Sequence, residues 1–166
     1  MADAPTRLRI RRARPEEARA LTGLALASKA VWGYAEALRE QFLTELTLTP
    51  DYVCRNPVFV VEEEGGGAPL ALGALARIDD EVADLDLMFV APGRLRRGIG
   101  TTLFAFLCDE ARARGFRRLK IVSDPHAIGF YRRMGAVDAG AEESRSVPGR
   151  MLPVFAFALG AGQERP

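Results

Sequence analysis

One junction limits the possible fold more than any other: a strand pattern passes through a glycine turn directly into a helix pattern. The alternation from Asp84 to Val90 predicts a strand with two sides, one carrying Asp84, Asp86, Met88 and Val90 and the other Leu85, Leu87 and Phe89. The stretch GRLRRGIG follows, and from Gly98 apolar residues recur at helical spacing. We therefore expect a right-handed strand-to-helix crossover extending to Arg114.

The other sequence patterns place this junction inside an α/β sheet. Alternating or β-branched runs predict strands at 8–12, 58–62, 70–78, 117–122 and 151–159. Helical spacing predicts helices at 18–28, 35–46 and 127–134, with a break at 32–34. A polar turn region is expected at 138–150. The predicted fold is a mixed α/β sheet with helices on both faces, and a length of 166 residues indicates one domain.

Charge and residue counts exclude several classes of partner. Lys and Arg number 23 against 22 Asp and Glu, so a net charge of +1 provides no long-range attraction to nucleic acid or an anionic membrane. No apolar run suits a membrane segment or a signal peptide, and we expect a cytoplasmic protein. Cys54, Cys108 and the single His126 lack zinc-ligand spacing, so we expect no metal and two cysteines in the core.

The glycine turn has two interpretations from its residues alone. A strand that enters a helix through such a turn presents free main-chain N–H groups and a partial positive charge, which suits an anion. Gly98 and Gly100 lack a Cβ and would let a phosphate approach the main chain, while Arg94, Arg96 and Arg97 add charge. The alternative is an ordinary turn with solvated arginines.

Two familiar nucleotide motifs do not fit this turn. Ile99 and Gly100 stand where a P-loop requires Lys and then Ser or Thr. Leu103 occupies the third small position of a dinucleotide-binding fingerprint, and the turn follows the fourth predicted strand rather than the first. The sequence therefore argues against a nucleoside triphosphatase and a dinucleotide site.

Two segments together resemble the GNAT superfamily of N-acetyltransferases. LMFVAP at 87–92 followed by RRGIGTTL at 96–103 looks like that family's strand ending in V-x-P and its R/Q-x-x-G-x-G/A helix start. DPHAIGFY at 124–131 with Gly135 is similar to its N-x-x-A-x-x-F-Y followed by G-F. The resemblance implies a mostly antiparallel, twisted GNAT-like sheet in a single N-acetyltransferase domain at 1–166, with a core at about 7–160. It also implies acetyl transfer from acetyl-CoA to a primary amine.

The resemblance assigns acetyl-CoA to both segments. It places the pyrophosphate on the main-chain N–H groups of Arg96, Arg97, Gly98, Ile99, Gly100 and Thr101, and the pantetheine arm beside Met88, Phe89 and Val90. Leu95 stands where the family usually has Arg or Gln. Asp124, which replaces the usual Asn, either lies at the cofactor or simply caps its helix.

The resemblance also implies catalytic side chains. Tyr131 is the candidate general acid, because a phenol with a pKa of about 10 remains protonated and can donate to a thiolate. Asp86 lies four residues before Val90, where many relatives carry Glu, and is the candidate base acting through a water. His126 is an alternative base. In the alternative interpretation, Tyr131 only packs against the sheet, and Asp86 is a solvated carboxylate on its strand.

The implied acceptor site uses the first two helices and the loop 144–150 before the last strand. Trp32 and Tyr34 either stack on the substrate or pack the two helices together. Arg150 could pair with a substrate carboxylate. The expected acceptor is a small molecule, an amino acid or a peptide, with a homodimer as one assembly that relatives adopt. A non-catalytic acyl-CoA sensor of the same fold is the alternative function.

Overall fold

Seven strands form one open sheet in the computed structural model, which describes residues 7–160. The strands are β1 (Leu8–Arg12), β2 (Val58–Glu63), β3 (Ala71–Arg77), β4 (Val82–Val90), β5 (Arg118–Val122), β6 (Val137–Glu143) and β7 (Met151–Ala158). The helices are α1 (Ala18–Ala30), α2 (Glu36–Leu46), α3 (Pro50–Arg55), α4 (Ile99–Ala113) and α5 (Ile128–Arg133).

The strand order is β1-β2-β3-β4-β5-β7-β6. Neighbouring strands are antiparallel except β4 and β5, which are parallel and are joined through α4. The predicted crossover therefore exists, and the predicted fold class, a mixed and mostly antiparallel sheet, is confirmed. Because β4 and β5 lie mid-sheet, the glycine turn before α4 is held between rigid elements.

Strand alternation builds a core on each face of the sheet. Phe59 and Val61 of β2 point into the core under α4 and α5, whereas Val58 and Val60 point into the core under α1, α2 and α3. Gly73 of β3 marks a close approach of α4, since a Cβ there would lie 2.5 Å from a methyl carbon of the fully buried Leu107. A buried leucine of this kind contributes roughly 1.5–3 kcal/mol.

Local signals explain where two helical segments begin. Thr49 accepts a hydrogen bond from the Tyr52 main-chain N–H at 3.1 Å, and Pro50 occupies the first position of α3. Asp124 does the same for the 3-10 turn Pro125–Ala127 that leads into α5, accepting from the His126 main-chain N–H at 2.9 Å. The predicted capping role of Asp124 is thus confirmed.

Two sequence-based expectations, for residues 138–150 and for Cys54, are wrong. Residues 138–150 are not all turn, because β6 occupies the first half of that region and pairs with β7. β6 is an edge strand with mostly exposed side chains, so it lacks the apolar alternation that reveals a strand. Cys54 is exposed on the short helix α3, whereas Cys108 is buried as expected.

Candidate active site

β4 and β5 pair only near their starts. Their parallel register joins Val82–Asp84 to Arg118–Lys120. After Asp84, β4 continues beside β3 to Val90, whereas β5 continues beside β7 to Val122. Within residues 7–160, no strand pairs with that edge of β4 beyond Asp84. The main-chain groups of this edge therefore face an opening between the two strands.

A β-bulge in β4 lies beside this opening. The pairing of β4 with β3 skips Asp86, which is the extra residue of the bulge. The predicted alternation of this strand is therefore wrong: Leu85 packs under α4 together with Met88 and Val90, whereas Leu87 packs on the opposite face. One extra residue reverses the face of every side chain that follows it.

The glycine turn presents a run of free main-chain donors. Arg96 and Gly98 have left-handed backbone conformations, with φ of 60° and 78°. Among the residues that the structure describes, none accepts a hydrogen bond from the main-chain N–H groups of Leu95 to Thr101. A Cβ on Gly98 would meet no atom within 4 Å, so the space beside it is open. Free donors at a helix start with open space before them suit an anion.

The arginines of this turn differ in what they contact. Arg94 forms an ion pair with Glu63 at 3.1 Å. Arg96 and Arg97 are exposed and make no ion pair within the described part of the chain, so both can move toward an anion. Thr101 is also exposed, whereas the Ile99 side chain is buried in the core.

Gly100 differs from Gly98 in its surroundings. A Cβ there would lie 3.4 Å from the Phe130 ring and 3.7 Å from a methyl of Val90, which is ordinary packing distance. Gly100 therefore brings the first turn of α4 against α5 and the end of β4, while Gly98 faces open space.

A cavity of about 310 Å³ occupies the opening between β4 and β5. Its wall combines residues of α1, α2, β4, the segment after β5, α5, β6 and the β6–β7 loop. Of the predicted site residues, Asp86, Met88, Phe89, Asp124 and Tyr131 line it. Val90 lies beside Gly100 instead.

Tyr131 is a largely buried residue of the cavity wall. Its side chain is only 7% exposed, and its ring is surrounded by Phe104, Phe130 and Phe155. The hydroxyl has no hydrogen-bond partner among residues 7–160. Burial, together with the negative charge of Asp124, raises the pKa of Tyr131 well above its usual value. The group therefore remains a proton donor at neutral pH.

Two carboxylates of β4 share one arginine at the same cavity. Arg145 of the β6–β7 loop lies 3.2 Å from Asp84 and 3.4 Å from Asp86. Tyr52 of α3 donates a hydrogen bond to Asp86, and burial and the Asp86 charge raise the pKa of Tyr52 far above its usual value. Asp84 is 5% exposed, and burial and the neighbouring Asp86 raise its pKa as well. Asp84 is thus a buried carboxylate that binds a proton more tightly than usual.

Asp124 is the centre of a third cluster. It pairs with Lys29 at 2.9 Å and accepts hydrogen bonds from the Tyr34 hydroxyl at 2.8 and 2.9 Å and from His126. Burial alone would raise the pKa of Asp124, but the Lys29 ammonium and these donors outweigh it and lower the pKa to about 2. Burial and the bond to Asp124 raise the pKa of Tyr34 to about 12. Asp124 is ionised, and its partners are ordered around it.

The three residues predicted for the acceptor lie together beside Asp124. Arg150 donates to the Tyr34 hydroxyl at 3.0 Å and stacks over its ring, 5.1 Å from the centroid. Trp32 is 41% exposed and stacks on the His126 ring at 4.8 Å. None of these three side chains lines the cavity among the described residues; they reach it through Asp124 and Lys29.

Sequence reasoning missed three residues of the site, Lys29, Tyr52 and Asp84, and it placed Arg145 only within the loop 144–150 implied for the acceptor. Asp84 was placed on the strand but not proposed for catalysis, because its burial does not show in the sequence. Lys29, Tyr52 and Arg145 lie on elements whose meeting depends on the whole fold. The roles predicted for the site residues, a homodimer and a cytoplasmic location remain predictions.

In residues 7–160, no group of three or more His, Cys, Asp or Glu side chains is arranged to hold a metal ion. None of the helices in this range combines the length and apolar character required to cross a membrane.

The model of the acetyltransferase (GNAT) family matches residues 27–136, which is well over half of the chain. The chain belongs to this family. It is an acyltransferase, and its chemistry is acetyl transfer. The predicted membership is confirmed. Compared with the curated proteins, the sequence matches none significantly.

Solved structures of GNAT proteins share the fold over nearly the whole chain. The PaiA N-acetyltransferase of Thermoplasma acidophilum, in complex with coenzyme A, has a TM-score of 0.74 at 15% identity, covering 92% of this chain and 99% of its own. The ribosomal-protein-S18-alanine N-acetyltransferase of Escherichia coli has a TM-score of 0.67 at 20% identity, covering 96% and 99%. The yncA protein of Salmonella typhimurium, solved with its cofactor acetyl-CoA, has a TM-score of 0.65 at 19% identity, covering 97% and 98%.

Proposed function

We propose that the protein transfers the acetyl group of acetyl-CoA directly to a primary amine. The observation that carries the proposal is the opening between β4 and β5. There the largely buried Tyr131, whose hydroxyl has no hydrogen-bond partner among the described residues, and the buried Asp84 line one cavity. Acyl transfer to an amine requires a proton acceptor for the amine and a proton donor for the leaving thiolate, and this cavity is lined by a candidate for each.

The chain's own groups fit acetyl-CoA, which would supply the activated thioester. The free N–H groups from Leu95 to Thr101 and the open space at Gly98 suit the pyrophosphate, with Arg96 and Arg97 as mobile charges. The unpaired edge of β4 from Met88 to Val90 offers main-chain groups to the amides of the pantetheine arm. Two similar proteins were solved with coenzyme A or acetyl-CoA, which supports this assignment.

Proton transfers follow from the pKa values of the cavity groups. The amine nitrogen forms a bond to the acetyl carbon, the carbon–sulfur bond breaks, and the amine loses a proton while the thiolate gains one. We assign the amine proton to Asp84, whose raised pKa makes it a stronger proton acceptor than an ordinary aspartate, and the thiolate proton to Tyr131. Asp86, the base favoured by the sequence, then has a positioning role, because it is held by Tyr52 and Arg145.

The test is a panel of acceptors incubated with acetyl-CoA, with release of free thiol as the readout and mass spectrometry of the product as confirmation. The panel contains aliphatic amines, polyamines, amino acids and short peptides with a free N-terminus. Thiol release that depends on the amine and yields the N-acetyl product is expected. Release of thiol with alcohols but with none of the amines would overturn the proposal, as would no release with any acceptor.

A further inference from the structure

We propose that Lys29 is a positioning residue of acetyl transfer: its ammonium cancels the charge of Asp124, so that the leaving thiolate forms beside Tyr131 next to a neutral ion pair. Without Lys29, the thiolate would form next to an isolated carboxylate. This inference rests on the proposed function and adds to it a residue that acts through Asp124.

Lys29 and Asp124 form a buried ion pair in the wall of the cavity that Tyr131 also lines. The ammonium lies 2.9 Å from the carboxylate, and the two side chains are only 15% and 13% exposed. In such a shielded place opposite charges attract more strongly than at the surface, and a charge without its partner is more costly. The removal of either partner therefore changes the electrostatic field in the cavity.

The ammonium of Lys29 is held in place by aromatic rings as well. It lies 4.4 Å from the centre of the Phe42 ring and 5.8 Å from that of the Tyr34 ring, and ring faces attract a cation. Lys29 also lies in the last turn of α1, where the negative end of the helix favours a positive charge. These contacts fix the cation on Asp124.

Tyr131 responds to the charge of Asp124. Besides burial, the negative charge of Asp124 raises the pKa of Tyr131, because it disfavours an anion at the phenol oxygen. The thiolate that receives the proton of Tyr131 lies next to the same hydroxyl, so the same negative charge disfavours it. A cation on Asp124 offsets this effect and favours the departure of the thiolate.

Among residues 7–160, Lys29 is the one lysine or arginine in contact with Asp124. His126 also contacts Asp124, at 2.9 Å, but it carries a charge only when it is protonated. Arg150 reaches Asp124 only through the hydroxyl of Tyr34. The cancellation of the Asp124 charge therefore depends mainly on Lys29.

The other charges of the cavity belong to separate pairs. Arg145 bridges Asp84 and Asp86, and Lys120 pairs with Glu142. Two further acidic residues line the wall, Glu45 and Glu143. The surroundings are thus rich in negative charge, and no neighbouring cation of the described residues would replace Lys29 on Asp124.

The first experiment measures the pKa of the thiol of coenzyme A bound to each variant, from the ultraviolet absorbance of the thiolate after subtraction of the protein alone. Lys29→Gln keeps a hydrogen-bond donor for Asp124 and removes the charge. It should raise the pKa of the bound thiol by about one unit or more, a tenfold change in the equilibrium. The double variant Lys29→Gln, Asp124→Asn carries neither charge and should return this pKa to near the wild-type value.

Asp124→Asn tests the same effect with the opposite sign. Here Lys29 has no carboxylate to cancel, so the pKa of the bound thiol should fall below that of the wild type. An ion pair that only stabilises the fold would be broken by either single substitution, and the two variants would then show no shifts of opposite sign. An unchanged thiol pKa in Asp124→Asn would overturn the inference, even where Lys29→Gln does not fold.

Turnover should follow the pKa of the bound thiol. In Lys29→Gln, kcat with an amine acceptor should fall by about threefold to tenfold, because the rate follows only part of a change in pKa. The double variant should recover most of this loss. A double variant as impaired as Lys29→Gln would show that Lys29 acts in another way than by cancelling the charge of Asp124, and would overturn the inference.

Arg19→Gln is the matched control, because it removes the same charge from an exposed position of the same helix. It should leave the thiol pKa and kcat unchanged, and thermal melting of each variant checks that it is folded. Equal thiol pKa values in the wild type and a folded Lys29→Gln would overturn this inference and leave the proposed function intact. A wild type that acetylates no amine would overturn the proposed function instead, since the thiol titration requires no acceptor.

Discussion

The two ends of the site are built from different parts of the chain. At the α4 end, the turn Gly93–Gly100 presents main-chain N–H groups and exposed arginines, with few side-chain contacts between described residues. At the opposite end, Asp84, Asp86 and Asp124 lie in hydrogen-bonded clusters with side chains from α1, α3 and the β6–β7 loop. One end is a main-chain surface, and the other is a network of paired side chains.

This difference indicates that the two ends of the site have separate functions. Main-chain donors recognise a group that does not vary, such as a pyrophosphate, and they tolerate side-chain change as long as the backbone conformation is kept. A side-chain network can change its charge and shape one residue at a time, so it suits the choice of acceptor. Substitutions should therefore separate cofactor binding from turnover and acceptor choice.

The largest expected effect is on turnover through Tyr131. Tyr131→Phe keeps the packed ring and removes the free hydroxyl, so kcat should fall by about 100-fold or more, the usual contribution of a positioned acid. The affinity for acetyl-CoA, measured by isothermal titration calorimetry, should be unchanged. An unchanged kcat would show that the hydroxyl is a packing group, and a loss of affinity would erase the distinction between the two ends.

The next effect concerns the two aspartates of β4. Asp84→Asn should lower kcat/KM by about 100-fold at neutral pH, because the amine then has no buried base. In the wild type, kcat/KM should rise with pH as Asp84 loses its proton.

The pH dependence of kcat/KM in the Asp86→Asn variant shows whether Asp86 positions Asp84 or is itself the base. Burial and the Asp86 charge both raise the pKa of Asp84, so removing that charge should move the rising limb of kcat/KM to lower pH. If Asp86 is itself the base, Asp86→Asn abolishes turnover and Asp84→Asn mainly alters this limb.

A smaller effect is expected on stability at the acceptor end. The pKa of Asp124 is lowered to about 2, so its ionised form stabilises the fold above the unfolded pKa of about 4. Asp124→Asn should lower the free energy of unfolding at neutral pH by about 2 kcal/mol, measured by urea denaturation. This difference should shrink as pH falls from about 4 toward 2, where the wild type also loses the charge. A difference in the free energy of unfolding that stays constant with pH would contradict a lowered pKa for Asp124.

The sequence predicted the main-chain end of the site better than the side-chain end. The strand, turn and helix around Gly98 lie within one continuous segment, so local patterns suffice to place them. Arg145 meets Asp84 across 61 positions of the chain, and Tyr34 meets Asp124 across 90. Local periodicity carries no information about such pairs, nor about the bulge at Asp86 that sends Leu85 and Leu87 to opposite faces.

The most direct test of whether main-chain groups of the turn bind the cofactor is the affinity for acetyl-CoA of three variants, measured by isothermal titration calorimetry. The variants are Gly98→Val, Gly98→Asn and Arg94→Ala. A β-branched residue at φ of 78° costs about 1–3 kcal/mol of strain, so Gly98→Val should weaken binding by about tenfold or more. Asn tolerates this conformation, so Gly98→Asn should weaken binding far less. Arg94 is paired with Glu63, so Arg94→Ala should have little effect. A larger loss for Arg94→Ala than for Gly98→Val would contradict the account and make the turn a site of side-chain charge.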